Sequence, residues 1–240
     1  MARLSRLIVA EQLHFVWQRG LGSPALFMDA QDHVTYLSLL ARWARVHKVA
    51  VHAYALLPHD IYLLVTPHAL STETGPSERC GLSVLMQALG RDHVAAYNRR
   101  HLRTGTLWHG RFRVGPVDAA RHWRSCVQYI EQAAVRQGLA PSPGGYPWSS
   151  APHHLGHARS EWLVEHPQQW TLGNTPFERE ANHRVCLAEP LDPAEQNRIE
   201  ASVLKGWALG PAEFIAAMQE KAGDRRVQPA SRGRPRKTPL

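Results

Sequence analysis

Residues 12 to 18, Gln-Leu-His-Phe-Val-Trp-Gln, are rich in aromatic and β-branched side chains and close on Arg-Gly-Leu-Gly, which predicts a strand. Asp29 then stands as a helix cap ahead of Val34, Leu37, Leu40, Ala41, Trp43 and Ala44. Their 3.6-residue spacing predicts an amphipathic helix over 30 to 47. Two apolar runs, 49 to 57 and 60 to 65, flank Pro58-His59 and predict paired strands. A Pro/Ser/Glu/Gly stretch at 67 to 81 reads as a loop, and apolar positions at 82, 85, 86, 89, 94 and 97 predict a second helix over 82 to 101. Residues 107 to 117 read as a fourth strand. Asp118 caps a third helix whose stripe is Trp123, Cys126, Val127, Ile130, Ala133 and Ala134, ending at Gly138. The order β-α-β-β-α-β-α predicts an α+β fold, a ferredoxin-like antiparallel sheet with helices on one face. Pro141 to Pro147 marks a boundary, so 1 to 155 is expected to be one domain, 156 to 222 a helical extension with its helix content at 191 to 220, and 223 to 240 a disordered basic tail.

Charge changes the picture. The 240 residues carry 28 Lys+Arg against 20 Asp+Glu, a net +8, and only four of the bases are Lys. Arginine's planar fork meets phosphate bidentately and stacks on bases, so an Arg-dominated excess points to nucleic acid. Residues 91 to 136 hold nine Arg against Asp92, Asp118 and Glu131, and 221 to 240 hold seven bases against Asp224. Each block is therefore +6, and the rest of the chain is net negative. Clustering of this kind suits a phosphate track, although solvated helix faces and a solubility tail would also produce it. Three widely spaced cysteines, Cys80, Cys126 and Cys186, form neither a zinc ribbon nor a disulfide framework. The four apolar residues at 7 to 10 are too few for a signal sequence, and no stretch is long enough for a membrane helix, so a cytoplasmic, nucleoid-associated protein with no membrane partner is expected.

The chain also resembles a known family. The blocks His52-Ala-Tyr-Ala-Leu-Leu-Pro-His-Asp-Ile-Tyr-Leu-Leu-Val65, Tyr97-Asn-Arg-Arg-His101, Gly105-Thr-Leu-Trp-His-Gly-Arg-Phe112, Tyr129-Ile130, Val135-Arg-Gln-Gly138 and Tyr146-Pro-Trp-Ser-Ser150 occur in the order and spacing of the REP-associated tyrosine transposases, single-tyrosine HUH enzymes. Gly206-Trp-Ala-Leu-Gly210 and Gly233-Arg-Pro-Arg-Lys237 are similar to that family as well. The resemblance implies a nuclease domain that binds single-stranded or hairpin DNA and cuts it with a tyrosine hydroxyl, leaving a 5′-phosphotyrosine, in DNA transposition. It implies a divalent ion, Mg²⁺ or Mn²⁺, held by two strand histidines and by an Asn one turn after the nucleophile. Because a tyrosine with a pKa near 10 is a poor nucleophile at neutral pH, the ion would have to orient the phosphate and stabilise charge.

Carried over by position, the nucleophile falls on Tyr129, the two histidine positions are Asp60 and Tyr62, and the Asn position is Ala133. Strand alternation puts Asp60 and Tyr62 on one face and His59 on the other or in the turn, while Gln132 lies about 100° around the helix from Ala133. Asp60 retains an oxygen ligand for a hard cation, whereas Ala133 has none. His153, His154 and His157 cluster at helical spacing without a fourth ligand. For DNA, Arg111 and Arg113 would share a strand face, with Asn98, Arg99 and Arg100 closing the preceding helix. Trp108 would stack on an unpaired base or sit in the sheet core. Arg232, Arg234, Arg236 and Lys237 form an AT-hook-like arm suited to AT-rich minor grooves. Three readings follow: a tyrosine transposase with altered ligand positions; a catalytically inactive, domesticated DNA-binding module or repressor; and an unrelated nuclease using Asp60. Monomer and homodimer both remain open.

Overall fold

The computed structural model describes residues 6–69 and 81–229, so the expected arm at Arg232, Arg234, Arg236 and Lys237 lies outside the described residues. Four strands form one antiparallel sheet: β1 (His14–Arg19), β2 (Val49–Leu56), β3 (Asp60–Pro67) and β4 (Arg113–Pro116), in the order β2-β3-β1-β4. The helices are α1 (Ala30–Val46), α2 (Gly81–Arg100), α3 (Ala119–Glu131), the single turns α4 (Ala133–Arg136) and α5 (Ala151–His154), then α6 (Pro176–Ala188), α7 (Pro193–Ala201) and α8 (Ala212–Ala222). The α+β class and the ferredoxin-like strand order are thus present.

The expectation of helices on one face is corrected, because alternation along the strands buries both. Val16, Ile61, Leu63 and Val65 face α1 and α2 through Tyr36, Leu40, Leu85 and Leu89. Phe15, Ala53, Ala55, Tyr62 and Leu64 face α3 through Trp123, Val127, Tyr129 and Ile130. A sheet buried on both sides needs continuous apolar strands rather than alternating ones, which is what β2 and β3 supply. Each fully buried Leu, Ile or Phe contributes about 1.5–3 kcal/mol. Pro58-His59 makes the tight β2–β3 turn, with the Leu57 N–H donating to the Asp60 carbonyl at 2.9 Å.

Two elements differ from the sequence reading. The strand expected over 107 to 117 is reduced to Arg113–Pro116, preceded by one isolated bridge between Gly20 and Trp108. Gly110 sits at φ 114°, a left-handed conformation that interrupts the ladder and leaves Arg111 in an irregular segment. The third helix stops at Glu131, with Gln132 between α3 and α4. The Gln132 side chain turns away to donate to the Leu187 and Glu189 carbonyls and to accept from the Leu191 N–H. Helical structure in the extension starts earlier than expected, with a 3-10 helix at Pro167–Leu172 followed by α6. Leu191, Ile199, Val203 and Leu209 join the apolar cluster under α3. No described helix is long and apolar enough to cross a membrane.

Candidate nucleic-acid interface

The sheet face beneath α3 brings together the positions singled out for chemistry. Tyr62 of β3 and Tyr129 of α3 meet edge to face at 5.7 Å between ring centroids, and Phe15 of β1 lies 5.9 Å from each. Tyr129 is only 4% exposed. Its hydroxyl makes a long hydrogen bond of 3.4 Å to Glu200 Oε1 of α7, and the Arg136 guanidinium covers its ring at 4.1 Å while donating to its carbonyl. Burial raises the Tyr129 pKa above the usual phenol value; Glu200 adds to the rise and Arg136 opposes it. Tyr62 is raised too, by burial and then by Tyr129 and Asp60. Glu200 and Arg136 were not singled out from sequence, and the separation of 71 positions between Tyr129 and Glu200 leaves no local signal for that pair.

Asp60 shares this face as expected, yet its Oδ1 accepts the Trp17 indole N–H at 2.7 Å. The residues do not fit the divalent ion that the resemblance implies. The Ala133 methyl is buried and offers no donor, the Tyr62 phenol is held protonated inside an aromatic cluster, and Gln132 is committed to the extension. Among the described residues, one group of three ligand-type side chains lies close together elsewhere, at Glu131, His154 and His183, all buried. His154 Nδ1 and His183 Nε2 each lie 2.6 Å from a different Glu131 oxygen, and Ser150 donates to Oε1 at 2.5 Å. Two ligands of a tetrahedral zinc would stand about 3.4 Å apart, so these contacts are hydrogen bonds between α3, α5 and α6. Burial alone would raise the Glu131 pKa, but His154 and His183 outweigh it and hold the carboxyl well below its usual range.

Three adjoining clefts lie around the Arg19 end of β1 and the segment 108–114 that leads into β4. The one beside Asp60, about 490 Å³, is lined by Arg19, His59, His109 and Gln137 among others. It shares Arg19 and His109 with a cleft of about 420 Å³ that also presents Arg6, Arg111, Arg113 and Lys205. That cleft shares Arg6, Arg111 and Phe112 with a more apolar pocket of about 620 Å³ containing Trp108. Among the described residues lining the three, Asp60 is the one carboxylate. Burial and then the neighbouring Arg111 charge push Arg6 down to about 10, while Arg6 and Arg113 lie over the Phe112 and Trp17 rings at 3.7 and 5.4 Å. Cations crowded together with so few acids make these clefts electropositive.

The other DNA candidates are placed differently. Arg100 is paired with Asp29 and Asp32, the Asn98 amide donates to the Gly105 carbonyl at 2.8 Å, and Arg99 is exposed. None of the three lines these clefts. Arg6, Arg19 and Lys205 do, although they lie far apart in sequence and outside the internal Arg block.

No protein-family model matches the chain, and no curated protein matches it. Among solved structures it is similar to a REP-associated tyrosine transposase bound to a REP hairpin, at TM-score 0.53 and 12% identity over 69% of this chain and 92% of that one. It also matches a Deinococcus radiodurans R1 protein with a provisional transposase designation, at TM-score 0.34 and 17% identity over 58% of this chain and 98% of that one. A third match is a bacterial tRNA-His guanylyltransferase-like protein in complex with GTP, at TM-score 0.35 and 12% identity over 57% and 72%. The first similarity places the chain in a transposase-like fold.

Proposed function

We propose that this protein binds single-stranded or hairpin DNA along the cationic clefts beside β4 and does not cleave it. The carrying observation is the contrast between the two halves of the site. The track leading to Asp60 is lined by Arg6, Arg19, Arg111, Arg113 and Lys205, whereas the hydroxyl of Tyr129, the position that the resemblance assigns to the nucleophile, is buried against Glu200 and α7. A tyrosine that attacks phosphorus must meet the phosphate in line and lose its proton as it does so. Here burial and a facing carboxylate favour the neutral phenol, and Glu200 repels the incoming phosphate. Asp60, Tyr62 and Ala133 supply no ligand set that would offset this. The chemistry left to these residues is binding: guanidinium groups meet phosphates, and the aromatic walls exclude water beside them.

The test is a denaturing gel of labelled hairpin DNA incubated with the full chain and Mn²⁺ or EDTA, beside Tyr129→Phe. The expected result is salt-sensitive binding with no covalent adduct under any condition. A metal-dependent adduct that disappears in Tyr129→Phe would show that the transposase reading is right and that α7 moves aside. The combined reversion Asp60→His, Tyr62→His and Ala133→Asn asks whether ligands alone are missing. With α7 over Tyr129, it is expected to remain inactive.

A further inference from the structure

The pocket of about 620 Å³ at the far end of the track differs from the clefts beside it, because its interior is apolar. Met86 and Phe112 are buried in its wall, Val94 is half-buried, and the Trp108 indole stands along one side. That indole is fixed rather than free. Its N–H donates to the Gly90 carbonyl at 3.2 Å, and a Cβ on Gly90 would lie 3.3 Å from the same nitrogen, so the ring lies against bare helix backbone. Polar groups sit at the mouth, with Gln87 and Thr106 exposed and Arg6 and Arg111 shared with the phosphate track. Among the described residues, no carboxylate lines it. An apolar slot with a held indole, amide and hydroxyl groups at its edge and guanidinium groups on its rim matches a planar heterocycle attached to a phosphate backbone.

On this basis, which rests on the DNA-binding reading above, we infer that this pocket receives one unpaired DNA base, which stacks on Trp108 while Arg6 and Arg111 hold its flanking phosphates. Extruding a base costs least where it is already unpaired, so the pocket selects strands with a bulged or single-stranded nucleotide next to a stem. Arg19, Arg113 and Lys205 would follow the adjoining strand toward Asp60.

The experiment uses the full chain and three fluorescein-labelled hairpins of one stem: one with an unpaired adenine beside the stem, one with an abasic residue in its place, and one fully paired. Affinities are read by anisotropy. The wild type is expected to bind the adenine hairpin about 10-fold or more tightly than the abasic one, in line with stacking of a single base on an aromatic ring. Ala95 lines the pocket but is exposed, so Ala95→Trp obstructs the slot without touching the core. It should abolish that preference and leave abasic binding unchanged. Trp108→Ala should do the same, with its fold checked by circular dichroism. Equal wild-type affinity for the adenine and abasic hairpins overturns the pocket and leaves the DNA-binding reading standing. A preference that survives both variants also overturns it, placing the base elsewhere. No salt-sensitive binding to any hairpin overturns both readings.

Discussion

His14 is fully buried between two backbone groups of fixed polarity. Its Nε2 faces the Val9 N–H at 3.2 Å, which can only donate, and its Nδ1 lies 2.6 Å from the Gln12 carbonyl, which can only accept. Only the neutral ring with its proton on Nδ1 satisfies both. Burial accordingly pushes its pKa down to about 4, with the Gln12 carbonyl opposing, and burial does the same to His52 and His93. Each folded-state value lies below the unfolded one near 6.5, so the unfolded chain holds more protons between pH 6.5 and 4. The stability carried by each neutral ring is complete above 6.5 and is lost as pH falls toward 4. Glu131, held low by His154 and His183, keeps its contribution across that window. Urea unfolding at pH 7, 6 and 5 should show stability falling by up to about 1.4 kcal/mol per pH unit for each ring, and a flat profile would contradict neutral burial. Removing the Glu131 carboxylate strands His154, His183 and Ser150, so Glu131→Ala should cost about 3 kcal/mol or more in the same assay. This network was not legible in the sequence. Its partners lie 23 and 52 residues beyond Glu131, and the local cluster His153, His154 and His157 contributes His154 to it, with His183 coming from α6.

At the scale of elements, legibility followed periodicity. The helices over α1 and α2 and the β2–β3 hairpin carried strong apolar patterns, and the structure has them close to the expected bounds. Where a single residue overrides the pattern, the reading failed, as at Gly110, which ends the β4 ladder, and at Gln132, whose side chain serves the extension rather than the helix. The face occupied by α3 is set by tertiary packing on Phe15, Tyr62 and Leu64, and no local spacing encodes it. Docking of the extension depends on close backbone approach at β4. A Cβ on Gly115 would lie 2.2 Å from the Trp207 carbonyl oxygen and 3.3 Å from the Val203 Cα, neither of which is a flexible side-chain tip. Gly115→Ala should therefore cost about 1–3 kcal/mol as an overpacked contact. Limited trypsin digestion should detect the same change as faster cleavage after Lys205 than in the wild type, where Val203 and Leu209 are packed.

At the scale of the whole molecule, the distribution of charge is the functional argument. The sequence located a basic block at 91 to 136, but folding divides it: Arg100 is committed to Asp29 and Asp32, while Arg111 and Arg113 join Arg6, Arg19 and Lys205 along one edge of the sheet. A total of +8 would attract any polyanion weakly; on the proposed DNA-binding reading, a row of cations in which Asp60 is the one carboxylate among the described lining residues would favour a single strand path with a defined end. Each phosphate neutralised releases counterions, and for a single strand the logarithm of affinity falls with the logarithm of salt by about 0.7 per contact. If Arg111 and Arg113 each neutralise one phosphate, the double variant Arg111→Ala, Arg113→Ala should lower the slope by about 1.4 and weaken binding to unrelated sequences equally. Arg99→Ala, on an exposed side chain outside the clefts, should leave the slope unchanged. Anisotropy titrations at several salt concentrations measure all three proteins. Equal slopes for the wild type and the double variant would place the DNA on another face, because no conformational effect on affinity alone removes a fixed number of released ions.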